Sequence, residues 1–422
     1  MATLEVFHGF TSYVTYTNTS PAYYDDVTNA SSYAPEHVAT VAESLRTTRF
    51  VVQNVLTPIV ATVGLLGNIL NILVLFQPSM RTSTNVYLLV LSLADSVFLL
   101  FNFILSILDC SRRDLAETAY HFNPYGRFVS NYSGNVAVWV TVVFTVERYI
   151  AVCHPIHGKV WCTVNRAKLA SMAVTVLVVA NTVPTLFELK VVSTPRGLKC
   201  TDTEFAQSFG YEHVYAWWYV TVFTFIPLVC LTIFNIILIR ALFVATRRRE
   251  QLALISTSHH HTSNGKEKKH QLNHHHSGLH HSSNHISQIH FSDNVSSSHT
   301  SDRSSPSSAT ISLTKKRQSR RFSREQNKVT LLLVTIVMIF LLCQLPWTTL
   351  HLYNTYIASN NLTSSTSSRT AVKIAGNICN LLGLVNASVN FYLYSCFSKR
   401  FRRTLAKLVM FWRRRHSSPT TV

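Results

Sequence analysis

The sequence predicts an all-α fold: a bundle of seven membrane-spanning helices followed by a short amphipathic eighth helix. Three observations predict it. The 422-residue chain is 47% hydrophobic and only 14% charged, and its apolar residues gather in blocks of about 20 or more, the length a helix needs to cross a bilayer. Its formal net charge is +19, yet the Lys and Arg concentrate in particular segments between and after the apolar blocks. That pattern fits a positive cytoplasmic face better than a nucleic-acid surface, so no nucleic-acid partner is expected. Finally, isolated polar and charged residues stand inside the blocks, where each needs a partner helix or water.

Residues 1–46 are polar, rich in Ser, Thr, Tyr and Asn, and carry acids at Glu5, Asp25, Asp26, Glu36 and Glu43. They read as a disordered extracellular tail, with glycosylation sequons at Asn18 and Asn29. No cleaved signal peptide is expected, the first span serving as the insertion signal. Helices one to five are expected within 47–245. Span one, about Phe50 to Phe76, contains Asn68. Span two, about Val86 to Leu108, contains Asp95, an intramembrane carboxylate that costs about 2.5–3.5 kcal/mol on insertion scales. Such a group is either functional or held by core hydrogen bonds alone. Of eight cysteines, only Cys110 and Cys200 fall in outer segments where oxidation is permitted.

Span three, about Tyr125 to Val152, ends in Glu147-Arg148-Tyr149. Charges there need partners, although a solvated helix end with Arg148 snorkelling is the plain alternative. Arg127, near the outer end, either faces a pocket or snorkels. Span four, about Leu169 to Leu189, is kinked or ended by Pro184. Span five, about His213 to Ala245, contains Pro227. Residues 246–327 form a cytoplasmic low-complexity loop of Ser, His and Asn with basic ends. Its histidine triplets at 259–261 and 274–276 read as linker rather than as a zinc site. Helices six and seven are expected within 328–397. Span six, about Lys328 to Tyr353, carries Gln344 and Pro346, a hinge by virtue of the proline. Above them stand Trp347 and His351, either interface anchors or ligand contacts. Asn361 is a third usable sequon. Span seven, about Ala371 to Phe397, places Asn390 and Tyr394 four residues apart, hence on one helix face. Residues 398–422 hold the amphipathic basic helix, lying on inner-leaflet lipid, and a cytoplasmic tail. The closing Thr420-Thr421-Val422 has the shape of a PDZ-domain ligand.

Taken together, Asn68, Asp95, Glu147-Arg148-Tyr149, Pro227, Pro346 and Asn390…Tyr394, each in its own span, resemble the rhodopsin-like (class A) G-protein-coupled receptors. His154-Pro155-Ile156 with Cys162-Thr163, Cys343-Gln344-Leu345-Pro346 and Asn390-Phe391-x-x-Tyr394 resemble the FMRFamide-type and thyrotropin-releasing-hormone-type peptide receptors within that family. The resemblance implies a plasma-membrane receptor, not an enzyme, for an amidated neuropeptide coupled to a heterotrimeric G protein. It implies a G-protein gate formed by Glu147, Arg148, Tyr149, Asn390, Tyr394 and Asn235. It also implies a polar core of Asn68, Asp95, Asn386 and Asn390. Such cores often hold sodium, against which stands Ala137 where the family has a serine; no other cofactor is expected. Asn123 occupies the family's usual bridging-cysteine position, so Cys110 is the substitute partner for Cys200, unless both remain thiols. For a peptide ending in Arg-Phe-amide, Asp109 and Glu188 are the candidate acids. A different amidated ligand is the nearest alternative. A transporter is the alternative from another class, although neither internal repeats nor interrupted helices are evident.

Overall fold

The computed structural model describes residues 36–417 apart from 109–116, 196, 242, 245–246, 248–250, 252–330, 333, 351 and 354–365. Two compact units partition the chain, one of residues 1–239 and 328–422 and the other of residues 240–327. The first holds the bundle.

Among the described residues, six helices are long and apolar enough to cross a membrane: α1 (Glu43–Leu75), α2 (Ser83–Ile107), α3 (Glu117–Cys153), α4 (Val164–Phe187), α5 (His213–Ala241), whose last two residues pass into the second unit, and α7 (Ser368–Phe397). A shorter apolar helix, α6 (Val334–Leu350), stands between the last two. The amphipathic α8 (Lys399–Ser417) follows. The expected all-α seven-helix bundle is therefore present. Large apolar side chains such as Ile59, Leu66, Leu73, Leu169, Met172 and Val176 lie exposed on the helices. In water they would be a liability, and against lipid tails they are the proper surface.

Helix ends follow local chemistry. The Thr82 hydroxyl accepts from the Asn85 N–H at 3.2 Å and opens α2, and Thr163 does the same for Arg166 at 3.4 Å before α4. Pro184 converts the end of α4 into a 3₁₀ turn, Val183–Phe187. In α5 the π turn Thr221–Phe225 ends two residues before Pro227. A proline cannot donate and its ring crowds the carbonyl four residues back, so the preceding turn widens.

Several expected boundaries are corrected. Helix begins at Glu36, within the segment read as tail, because Glu36–Arg49 presents Leu45 to the bundle and packs along the outer end of α7. The start of α3 lies at Glu117, eight residues before Tyr125. The eighth helix, expected to be short, runs 19 residues, since no Gly or Pro interrupts the chain before Pro419.

The sequence reading also lacked a β-hairpin. Strands β1 (Leu189–Thr194) and β2 (Gly197–Asp202) pair antiparallel, with Val191 opposite Cys200 and Thr194 opposite Gly197. Gly197 closes the turn at φ 114°, a conformation L side chains rarely adopt. The hairpin docks through Cys200, which is buried against Tyr120 of α3 together with Val191 and Leu198.

Asn123 has a structural task in place of the cysteine. Its Nδ2 donates to the Leu108 carbonyl at 2.7 Å, capping the outer end of α2, and to the Ala119 carbonyl at 2.9 Å. Asn123→Ala leaves the partly buried Leu108 carbonyl without this donor, a cost of about 1 kcal/mol. We expect a lowered melting temperature of the detergent-solubilised protein; an unchanged melting curve would show that this cap contributes nothing.

Candidate functional site

A cavity of about 170 Å³ opens among α2, α3, α5, α6 and α7. Arg127, Trp347 and Leu105 stand toward its outer side, and Asp95, one turn above Leu91 on α2, and Asn390 on α7 lie toward its floor. Seven carboxamides line it: Asn102, Asn131, Asn135, Gln344, Asn380, Asn386 and Asn390. Phe98, Tyr219, Phe223, Phe340 and Trp347 supply aromatic wall. Three of the amides are fixed by side chains of other helices, Asn390 at the floor and two above it. Asn102 donates to the Ser130 hydroxyl at 2.7 Å, and Asn135 donates to the Tyr219 hydroxyl at 2.8 Å, joining α3 to α5. Asp95 and Arg127 are the charged residues among those lining the cavity.

At the cavity floor, Asn390 Nδ2 donates to Asp95 Oδ2 at 2.7 Å, both residues being buried. Asn68, wholly buried in α1, donates to the Ala387 carbonyl at 2.9 Å. That carbonyl stands four residues before Phe391, where a proline would have released it. The regular turn of α7 is interrupted at the single residue Val389 all the same, although the Val389 N–H still donates to the Val385 carbonyl at 3.1 Å, and Phe391 packs 3.0 Å from where a Cβ on Gly67 would sit. The Ser388 hydroxyl bonds the carbonyls of Leu384 at 2.7 Å and Val60 at 3.2 Å. A sodium ion fits this floor poorly. Hard cations take oxygen ligands, whereas Asn390 turns an N–H to the single carboxylate and Ala137 presents a methyl group.

The inner end of α3 carries a buried ion pair. Arg148 donates to Glu147 Oε1 at 2.6 Å, with side-chain exposures of 7% and 8%. The Ser83 hydroxyl at the start of α2 donates to the same oxygen at 2.7 Å. The Arg148 guanidinium lies 5.9 Å from the Phe144 ring centre, and Phe144 stacks on Tyr87. The charge is thus enclosed rather than snorkelling. Tyr149 turns away: its hydroxyl meets His154 Nε2 at 3.2 Å and its ring meets Phe234 at 5.3 Å. Beside the pair, the Cys162 thiol reaches the Glu147 carbonyl at 3.7 Å. Burial, and secondarily the Glu147 carboxylate, raise its pKa, so it stays protonated at neutral pH. Asn235 and Tyr394 are buried at the inner ends of α5 and α7. Asn235 donates to the Leu231 carbonyl at 2.6 Å, and Tyr394 packs on Phe401 of α8 at 6.1 Å.

The sequence of residues 67–394 matches the model of the 7 transmembrane receptor (rhodopsin family). The chain belongs to that family. The family is one of receptors and not of enzymes, and its members are multi-pass membrane proteins, as the apolar helices of this receptor require. The receptor is 26% identical over 386 residues to the FMRFamide receptor of Drosophila melanogaster, covering 87% of this chain and 55% of that protein. It is 30% identical over 208 residues to the growth hormone secretagogue receptor type 1 of Sus scrofa, covering 46% of this chain and 53% of that protein. It is 25% identical over 217 residues to a probable G-protein coupled receptor of Caenorhabditis elegans, covering 46% of this chain and 47% of that protein. The receptor spans about half the length of these curated relatives.

The other nominated residues distribute unevenly. Gln344 faces the cavity while Pro346 lies exposed on α6, and Pro227 is buried in α5. Trp347 and Arg127 line the cavity. Glu188 does not: it is buried at the end of α4, within electrostatic reach of Tyr215 and Tyr219. Cys200 is disulfide-bonded. Its nominated partner Cys110, together with Asp109, His351 and the sequons Asn18, Asn29 and Asn361, lies outside the described residues. Sequence reasoning passed over Asn102, Asn131, Asn135 and Asn380 as lining residues; they come from three helices and share no motif.

Proposed function

We propose that this receptor binds an amidated neuropeptide of the FMRFamide kind in the amide-lined cavity and passes the event to a heterotrimeric G protein. The observation that carries the reading is the set of seven carboxamides between aromatic walls. Amide side chains both donate and accept, which suits peptide bonds and a neutral terminal carboxamide, and aromatic walls suit a terminal phenylalanine. The similarity to an FMRFamide receptor over most of the chain supports the same class. The ligand binds one arrangement of the bundle more tightly and so shifts the population toward it. Helix α6 then swings outward about Pro346, and Arg148 leaves Glu147 to form the G-protein cavity with Tyr149, Tyr394, Asn390 and Asn235. The receptor sits in the plasma membrane with its N-terminus outside and α8 on inner-leaflet lipid; its last three residues offer a PDZ-domain ligand.

A second reading has its own support. Asp95, at the floor, is the acid among the described lining residues, and Arg127 adds a cation. An amidated peptide without a terminal Arg-Phe fits that balance. Calcium and cyclic-nucleotide responses of cells expressing the full chain, challenged with amidated peptides and their free-acid forms, decide between them. A saturable response to Phe-Met-Arg-Phe-amide, lost with the free acid, is the expected result. Responses confined to amidated peptides lacking arginine would select the second reading, and silence from surface-expressed receptor to every amidated peptide would remove both.

A further inference from the structure

The two halves of α8 differ in how their apolar side chains are placed. The first half is tied to the bundle. Phe401 is buried and packs on Phe391 and Tyr394 of α7. Leu405 and Leu408, four and seven residues on, are half-buried along the same face. Arg402 Nη1 donates to the Ser395 and Cys396 carbonyls, both at 2.7 Å, and Arg400 donates to the Ser79 carbonyl. Lys399, Arg403 and Lys407 stand exposed at intervals of four, a cationic face opposite Phe401. That division ends at Val409. Val409, Met410 and Phe411 are 58%, 53% and 60% exposed. Successive helical residues turn by about 100°, so this run, with Leu408 before it, faces every quarter of the helix. Met410 falls three residues after Lys407 and seven after Arg403, in the middle of the cationic face. A leaflet covers one side of a helix that lies on it, whereas a helix apolar all round belongs in an enclosure. The sequence continues as Trp412-Arg413-Arg414-Arg415, so the apolar run has cations on both flanks.

We propose that the second half of α8 is the docking segment for a calcium-loaded EF-hand sensor protein. Calcium opens the helix pairs of such a protein and exposes methionine-rich apolar grooves. Those grooves take up basic amphipathic helices, and their flexible methionines adapt to irregular apolar surface. Two grooves closing from opposite sides cover what a leaflet leaves bare, Met410 included. The carboxylate-rich EF-hands complement the cations on either flank of the run. Binding draws the cations of this half away from the anionic inner leaflet, an electrostatic switch set by calcium. The first half of α8 stays in place, held by Phe401 and by the Arg402 bonds to the end of α7.

The probe is fluorescently labelled calmodulin, titrated onto the full chain in nanodiscs with calcium or with a chelator. One set of discs holds phosphatidylcholine alone and the other adds phosphatidylserine. Calcium is expected to tighten binding by about a hundredfold or more in both membranes. Met410→Gln retains a good helix former on the side that a leaflet does not touch. It is expected to weaken calcium-dependent binding about tenfold and to leave surface expression unchanged. Replacing Arg413, Arg414 and Arg415 together by Gln alters charge rather than packing, and is expected to weaken binding in the phosphatidylcholine discs about tenfold as well. Equal binding with calcium and with chelator overturns the proposal. Calcium-dependent binding that neither variant weakens overturns it too, because another segment then holds the calmodulin. No binding in either membrane removes the EF-hand partner and returns the apolar run to the leaflet.

Discussion

Glu147→Gln is expected to raise ligand-independent signalling about tenfold. In the structure one oxygen of Glu147 holds both the Arg148 guanidinium and the Ser83 hydroxyl, at 2.6 and 2.7 Å, in a place almost closed to water. Hydrogen bonds to a charged group contribute about 1.5–3 kcal/mol. A glutamine of the same size retains the shape and loses the charge that grips Arg148. If the signalling arrangement is populated at a few per cent or less in the resting receptor, weakening the resting contact by about 1.4 kcal/mol multiplies that population by about ten. Guanine-nucleotide exchange per surface receptor, without peptide, is the measurement. Ser83→Ala removes one neutral donor and should give a smaller rise in the same direction. Basal exchange in Glu147→Gln equal to that of the parent would mean that the Glu147–Arg148 contact does not hold the resting state.

Gly64→Val is expected to abolish surface expression. A Cβ at position 64 would stand 2.7 Å from Ser388 Cβ and 2.9 Å from Leu99 Cδ1, and closer still to the Ser388 hydroxyl. The hydroxyl has no freedom to retreat, because it is bonded to the Leu384 and Val60 carbonyls. Leu99 is fully buried in a cluster with Ala61, Leu384 and Ala387. Overpacking typically costs about 1–3 kcal/mol, and here three helices would have to part together. Cell-surface antibody labelling and the melting temperature of the extracted protein report the loss. Combining Gly64→Ala with Ser388→Gly should recover much of what Gly64→Ala alone removes. Normal export of Gly64→Val would show that α1 and α7 are not packed this closely.

The bundle was legible because a bilayer writes its thickness into the sequence as apolar blocks, and because paired residues such as Asn390 and Tyr394 follow helix periodicity. Asp95, Asn68 and Arg148 stood out as polar groups in apolar surroundings, and the structure gives each a partner. The hairpin was less visible, although Val191-Val192 ahead of Thr194-Pro195-Arg196-Gly197 carries both β-branched residues and turn residues. Asn123 drew attention only as a missing cysteine, since its bond to the Leu108 carbonyl depends on where α2 ends. Glu188 read as a ligand acid because it closes an apolar span, but burial behind the α5 tyrosines is a property of helix packing. The amide lining was the hardest to anticipate. Its members are scattered over four helices, and only the folding of the bundle brings them to one surface.

The interruption of α7 at Val389 carries a consequence of another kind. In a helix bent by proline, the bend belongs to the covalent chain and persists in any surroundings. Here residue 391 is phenylalanine, and what accompanies the break comes from α1: the amide of Asn68 on the Ala387 carbonyl and the bare backbone of Gly67 beneath the Phe391 ring. The irregular turn thus leans on a neighbour: α1 supplies both the donor and the room, so a change in how α1 packs on α7 reaches the backbone at this turn first.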